Sequence, residues 1–387
     1  MTAVLRGITW GHSRGITPLL AASQRYEELH PGVQIQWKKR TLQEFADFPI
    51  EKLTADYDLL IIDHPWVGTA AATGCVLPLD KYLDKDYLDN QLANSVGGSH
   101  ESYNYDESQW ALAIDAATPA ASYRADLLEK NGVAVPQTWE EVIALAAKGK
   151  VAVPAIAIDL LMNFYSFCLA HGAVPFANKE EVVDEETGIA AIRTMQQLYS
   201  LVDSQLFDCN PIAVAELMSS TDDYWYCPFA YGYSNYSRAG FAKNLLRYAD
   251  VVSINGKKLR MTIGGTGLAL SASSQHKDIA VDFAAWVVSE EIQKTMYVQH
   301  GGQPGHLQAW LSPEANSITN GFFNAVLAVM QNGYIRPRYH GYLYFQDHAG
   351  LPLQQCLLGK TEPEEVLGQM NAIYKKSFEL NDITVAV

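Results

Sequence analysis

Apolar positions along this chain change rhythm in a regular order. Val4 to Trp10 ("VLRGITW") is a short apolar run that predicts a buried strand. Leu19, Ala22, Tyr26 and Leu29 then recur at steps of three and four, the stripe of an amphipathic helix. The pair Thr17-Pro18 supplies an N-cap and a first helical residue for it. In "HPGVQIQW", Val33, Ile35 and Trp37 alternate, predicting a strand with one apolar face. A helix-like segment follows, and then "YDLLIIDHPWVG", whose unbroken apolar run predicts a strand covered on both faces. Strand, helix, strand, helix, strand with short connections predicts an α/β lobe with a largely parallel sheet.

The same grammar returns downstream. "WALAIDAATPAASYRADLLEKNG" reads as a strand and a helix ended by Gly132. "PQTWEEVIALAAKGK" starts a helix at Thr138, with Glu140 and Glu141 well placed in its first turn. "VAVPAIAID" predicts another apolar strand, and "LRMTIGGTGLALS" a strand–glycine–strand unit. "SQHKDIAVDFAAWVVSEEIQKTMYVQ" predicts a long helix with Ile279, Phe283, Trp286, Ile292 and Met296 inward. No repeat, low-complexity run or linker separates these units, so two lobes would exchange chain more than once.

Composition narrows the function. At 387 residues the chain exceeds what one core usually serves, which favours two lobes. A hydrophobic content of 48% with 18% charged residues excludes a disordered chain. The net charge of −15 argues against nucleic acid or an anionic membrane as a partner, leaving neutral or cationic small molecules open. The five cysteines include no CxxC pair, so neither a disulfide framework nor a zinc site is expected. The ten histidines form no HExxH, and GxSxG is absent. The charge-free run from Leu160 to Asn178 is too polar for a membrane span. The opening "MTAVLRGITWGHSRG" lacks an export-signal pattern.

The ordered landmarks "PGVQIQW", "YDLLIIDHPWVGTAAATGCVLPLDKYL", "WALAIDAATPAASYRADLLEKNGVAVPQTWEEVIALA" and "IGGTGLALSASSQHKDIAVDFAAWVVSEEIQ" resemble the family 1 extracellular solute-binding proteins, sugar-type receptors of bacterial ABC importers. The resemblance covers about residues 1 to 310 and is looser beyond. It departs at Tyr123-Arg124, where the family has tyrosine–asparagine, which puts lobe packing in question. It implies an α/β, two-lobed periplasmic-binding-protein fold of class II, each lobe a mixed, mostly parallel sheet flanked by helices. Residues 1–114 and 232–303 would form the first lobe, and 115–231 with 304–387 the second. A small-molecule ligand would sit between closing lobes, with an ABC permease as partner if the protein is exported. Neither cofactor nor metal is expected, nor nucleic acid, and a monomer is. The resemblance implies a periplasmic or extracellular place with any signal removed or absent; a cytoplasmic one stays open.

Candidate ligand contacts follow from strand ends facing an inter-lobe crevice. Trp10, His12, Ser13 and Arg14 follow the first strand: Trp10 can stack on a sugar face while His12 and Arg14 donate hydrogen bonds, the alternative being a core tryptophan and a solvated arginine. Asp63, His64 and Trp66 end the buried strand, where Asp63 binds hydroxyls or caps the next helix. Asp115 stands at the first expected crossover as a cleft or hinge carboxylate. Tyr165 closes the pocket from the second lobe. Gly265 and Thr266 in "GGTG" present backbone amides or make a tight bend. Gln303 and His306 follow the long helix.

The segment "DYWYCPFAYGYSNYSRAGF", Asp223 to Phe241, falls where the chain is expected to cross back between lobes. A sheet core has no use for so many phenol hydroxyls, so Tyr226, Tyr231 and Tyr233 are expected in the pocket, with Trp225 and Phe229 packing behind. The same segment opens a second reading, a thiaminase-like enzyme on this scaffold with Cys227 as nucleophile. A third is a cytosolic ligand sensor.

Overall fold

β1 (Ala3–Trp10) and β2 (Val33–Arg40) lie parallel and are joined by helix α1 (Ser13–Leu29). The computed structural model describes residues 2–42, 44 and 49–384. α1 begins more than a turn before the expected Thr17, because His12 supplies the cap: its Nδ1 accepts the Arg14 backbone N–H, and Pro18 is carried inside the helix. The helix-like segment expected next lies in part outside the described residues and ends in a helical turn at Ile50–Leu53. β3 (Leu59–Ile62) pairs with the other edge of β1, fully buried as its unbroken apolar run requires. It leads through the turn His64–Trp66 into α2 (Val67–Thr73).

β4 (Leu112–Ala117) and β5 (Pro119–Tyr123) are consecutive in sequence but belong to different sheets, so the chain crosses between lobes at Thr118. α3 (Trp139–Ala146) starts at Thr138 with a complete capping box to Glu141. The strand expected at "VAVPAIAID" reduces to one parallel bridge, Val151 to Tyr226; Pro154 follows, and helix α4 (Ala157–His171) takes over. α5 (Glu185–Tyr199) packs against α4.

β6 (Tyr226–Tyr231) and β7 (Arg247–Ala249) flank β5 in an antiparallel second sheet. A mostly parallel sheet was expected here. The helices between β5 and β6 form one insertion instead of βαβ units, so the strands return beside each other. β7 also lies within 232–303, the stretch expected in the first lobe, yet it hydrogen-bonds into the second sheet. Arg124, the departure from the family pattern, is buried and ties this lobe together: it donates to Asp126, Asp222 and the carbonyls of Met218 and Thr221.

The chain crosses back before β8 (Gly264–Leu270), which inserts antiparallel between β3 and β4. The first sheet thus has the order β2-β1-β3-β8-β4. α6 (Lys277–Val287) covers it with Phe283, while Ile279, Trp286 and Met296 are only partly buried. A third crossing runs through Gln303–His306, where Pro304 bridges Asp115. α7 (Leu307–Leu311), α8 (Phe322–Gln331), α9 (Tyr342–Leu357) and α10 (Pro363–Thr384) then pack on the second lobe. Among the described residues, no helix is long and apolar enough to cross a membrane.

Candidate functional site

The crossings bring the ends of β1, β3, β4 and β8 against the start of α4 and the turn after β6. Arg14, in the first turn of α1, is only 3% exposed. Its Nε donates to Asp115 Oδ2 at 2.8 Å, a second nitrogen donates to Oδ1, and Nη1 donates to the Gly232 carbonyl at 3.0 Å. Burial alone would lower its pKa, but Asp115 outweighs burial and holds the guanidinium above its ordinary range. Arg14 also lies 4.7 Å over the Tyr233 ring. These two expected ligand contacts therefore serve each other.

Gln303 completes this junction: Nε2 donates to the carbonyls of Ala116 and Gly232, and Oε1 accepts the Ser234 N–H. Gly265 has φ of +95°, and a Cβ there would stand 2.3 Å from the Asp115 carbonyl oxygen. Glycine is therefore required there by the positive φ and by the close approach of the β4 backbone.

A second ion pair, between buried Arg336 and half-buried Asp63, spans the lobes. Arg336, 3% exposed, donates from Nη2 to both oxygens of Asp63 at 2.7 Å, and from Nη1 to Gln346 Oε1 in α9 at 2.8 Å. Burial would raise the Asp63 carboxyl, yet Arg336 and the His64 N–H hold it well below the usual carboxylate range. His64 is fully buried; that burial, with Arg336 beside it, lowers its pKa to about 4. His12 is likewise lowered to about 4 by burial and Arg14. With Nδ1 accepting from Arg14, the proton of neutral His12 sits on Nε2. Its ring stands edge-on to Tyr233 at 4.7 Å.

Among the described residues, polar atoms on five different elements of the two lobes are buried without a partner: His64 Nε2, Asp159 Oδ2, Ser234 Oγ, Thr266 Oγ1 and Arg336 Nε. Each would cost on the order of 1–3 kcal/mol if left so. Tyr231 and Tyr233 both feel the Asp159 charge, and Tyr231 also feels Asp63 and Arg336. Tyr103 feels Asp63, Asp115 and Arg336, which places the charged groups about one region. A cavity of about 490 Å³ opens nearby, lined by Trp10, Gly11, His12, Lys39, Arg40, Thr41, Leu42, Glu44 and Ile212.

Other expected contacts are used elsewhere. Trp66 packs into the core of the first lobe, where its apolar ring is covered by α2 and β3. His306 caps α7, its Nδ1 accepting from Gln308 N, and it faces Glu290 and Lys294. The Tyr226 ring is fully buried in the core of the second lobe and interacts electrostatically with Glu141 and Asp250. Tyr165 lies in the same core, its hydroxyl 3.2 Å from that of Tyr342. Tyr231 shares a 2.8 Å hydrogen bond with Thr262. Trp10 is core on one side, against Gly15, and cavity wall on the other.

Sequence reasoning missed Asp159, Arg336, Ser234 and Tyr103. Asp159 did carry a signal, a lone carboxylate in the apolar run from Val151 to Met162. Arg336 lies where the family resemblance had faded.

Two α/β lobes that meet around partnerless polar groups define a protein that encloses a small solute. The chain belongs to the bacterial extracellular solute-binding protein family, whose sequence pattern matches residues 13–294. Among solved structures it is similar to maltose-bound MalE3 of T. maritima, with 19% identity, coverage of 98% of this chain and 100% of the other, and a TM-score of 0.83. It is also similar to an ABC-transporter solute-binding protein of Agrobacterium radiobacter in complex with ribitol, at 19% identity, 97% and 98% coverage and a TM-score of 0.82. A maltotriose-bound binding protein of Thermus thermophilus matches at 20% identity, 97% and 100% coverage and a TM-score of 0.78.

The buried titratable groups give opposite pH signatures. His12, His64 and His100, lowered from 6.5 to about 4 in the fold, contribute stability that is present above pH 6.5 and lost as pH falls toward 4. Asp159, raised by burial from 3.8 to about 8, contributes stability that is present at low pH and lost as pH rises toward 8. Urea unfolding at several pH values within this window is expected to show His64→Gln flattening the rise of stability with pH by about 1.4 kcal/mol per unit, and Asp159→Asn steepening it by about as much. Parallel curves for wild type and both variants would contradict the assignment.

Proposed function

We propose that the protein captures a small polyhydroxylated solute, a carbohydrate or polyol, between its lobes and delivers it to an ABC permease. The observation that carries this reading is the set of partnerless hydroxyl, imidazole, guanidinium and carboxylate atoms on both lobes and the turn after β6. Mixed donors and acceptors suit alternating hydroxyls, and a neutral body avoids disturbing arginines already paired with Asp115 and Asp63. The maltose, maltotriose and ribitol held by the similar structures agree with this chemistry. Capture requires no catalytic group. Cys227 is fully buried and its thiol is pushed up to about 12 by burial, which disfavours the nucleophile reading. The reading includes a monomer acting outside the cytoplasmic membrane.

A thermal-shift screen of mono- and oligosaccharides and sugar alcohols tests it. A solute at a hundredfold over its Kd adds about 2.7 kcal/mol of stability, expected to raise Tm by roughly 4 °C. Thr266→Val and Ser234→Ala are each expected to weaken that solute about tenfold. No shift with any carbohydrate or polyol, or shifts indifferent to both substitutions, would sink the proposal.

A further inference from the structure

Charge bookkeeping around the cleft leaves one group over. The two buried arginines each have their own carboxylate, Arg14 with Asp115 and Arg336 with Asp63. Asp159 has neither. It is 6% exposed in the first turn of α4, its Oδ2 is buried without a partner, and among the described residues no cation forms an ion pair with it. Its charge is felt by Tyr199 of α5, Cys227 and Tyr231 of β6, and Tyr233 beyond it. A carboxylate with no cation paired to it, among neighbours that carry no positive charge, favours a cation from outside.

We propose that the solute carries a cationic nitrogen, an amine on a polyhydroxylated body, seated against the carboxylate of Asp159. This rests on the reading of the cleft as a carbohydrate site and adds the chemical class of its occupant. Hydroxyls of the body take up Ser234 Oγ, Thr266 Oγ1 and His64 Nε2, while the ammonium supplies the donors that Asp159 lacks. A purely neutral sugar leaves the ion-pair position unfilled. An anionic solute meets an unpaired carboxylate and two arginines that are already neutralised. Burial without a counter-ion pushes the Asp159 carboxyl up to about 8, so in the solute-free protein it holds a proton that an arriving ammonium displaces as the ion pair forms.

The test is calorimetric titration of the full chain with matched solutes: glucosamine against glucose and N-acetylglucosamine, and galactosamine against galactose and N-acetylgalactosamine. The amine of at least one set is expected to bind roughly 30-fold or more tightly than its neutral partners at neutral pH. Asp159→Asn, which cannot ionise to pair with an ammonium and nearly keeps the side chain's volume, is expected to erase that preference, so that amines and their neutral partners bind alike. Neutral members binding as tightly as amines, in wild type and in Asp159→Asn, would overturn the amine inference and leave the carbohydrate reading standing. Binding by no member of either set would overturn both.

Discussion

Replacing Asp115 with alanine is expected to lower folding stability by about 3–5 kcal/mol, because it strands the Arg14 guanidinium in the interior without a counter-ion. The carboxylate is 1% exposed and Arg14 3%, so water cannot take over the missing bonds. Arg14→Met is expected to cost as much by stranding Asp115. The double variant Arg14→Met/Asp115→Leu should recover most of the loss, since a buried pair replaced by apolar groups of similar volume is often neutral. The Gly232 carbonyl, which Arg14 also serves, keeps its bond from Gln303 at 3.2 Å. Urea unfolding of the three variants reads this directly. A loss below about 1 kcal/mol in Asp115→Ala would refute the clamp, and impaired solute binding at unchanged stability would show that Asp115 serves the ligand instead.

That pair also shows what the sequence could and could not disclose. Periodicity located β1, α1, β2 and β3, because the stripe of a helix and the run of a covered strand are local consequences of burial. Thr138 was legible as a cap for the same reason: its partner Glu141 is three residues away. Arg14 and Asp115 were each recognised as special, but nothing local says that residues so distant in sequence neutralise one another and thereby leave the list of free ligand contacts. The tyrosine-rich stretch was read as alternating, with Tyr226 in the cleft. Tyr226, paired with Tyr123, faces the core of the second lobe, while Tyr233, beyond the strand, reaches Arg14 and His12. His306 was singled out as a polar residue near the cleft, and a helix cap absorbed it. Asp159 and Arg336 escape local reading for the same reason: one is buried without a cation and the other is paired with a carboxylate far away in sequence, and only the folded chain displays either.

Gly68→Val is expected to weaken solute binding by about 10–100-fold while costing the individual lobes little stability. Gly68 sits in the first turn of α2 in the first lobe, and a Cβ there would lie 1.9 Å from the Arg338 carbonyl oxygen and 2.8 Å from the His340 nitrogen. Residues 336–340 are fastened to the second lobe through Arg336 to Gln346 and Tyr339 to Ser377. They grip the first lobe through Arg336 to Asp63, Arg338 to the carbonyls of Glu101 and Asn104, and His340 to Thr69. A valine at position 68 cannot coexist with this grip, and separating the lobes is the way to relieve it. Closure must then be driven by the solute, so the apparent affinity falls by the fraction of molecules still able to close. Arg336→Leu should act in the same direction through the loss of the inter-lobe ion pair, but with a stability cost from leaving the half-buried Asp63 unpaired that Gly68→Val does not share. Titration with the solute found by thermal shift, together with small-angle scattering of the solute-free protein, separates the two effects: the valine variant should be more extended and bind less tightly. An unchanged scattering profile with affinity within about twofold of wild type would mean that residues 336–340 do not hold the lobes together.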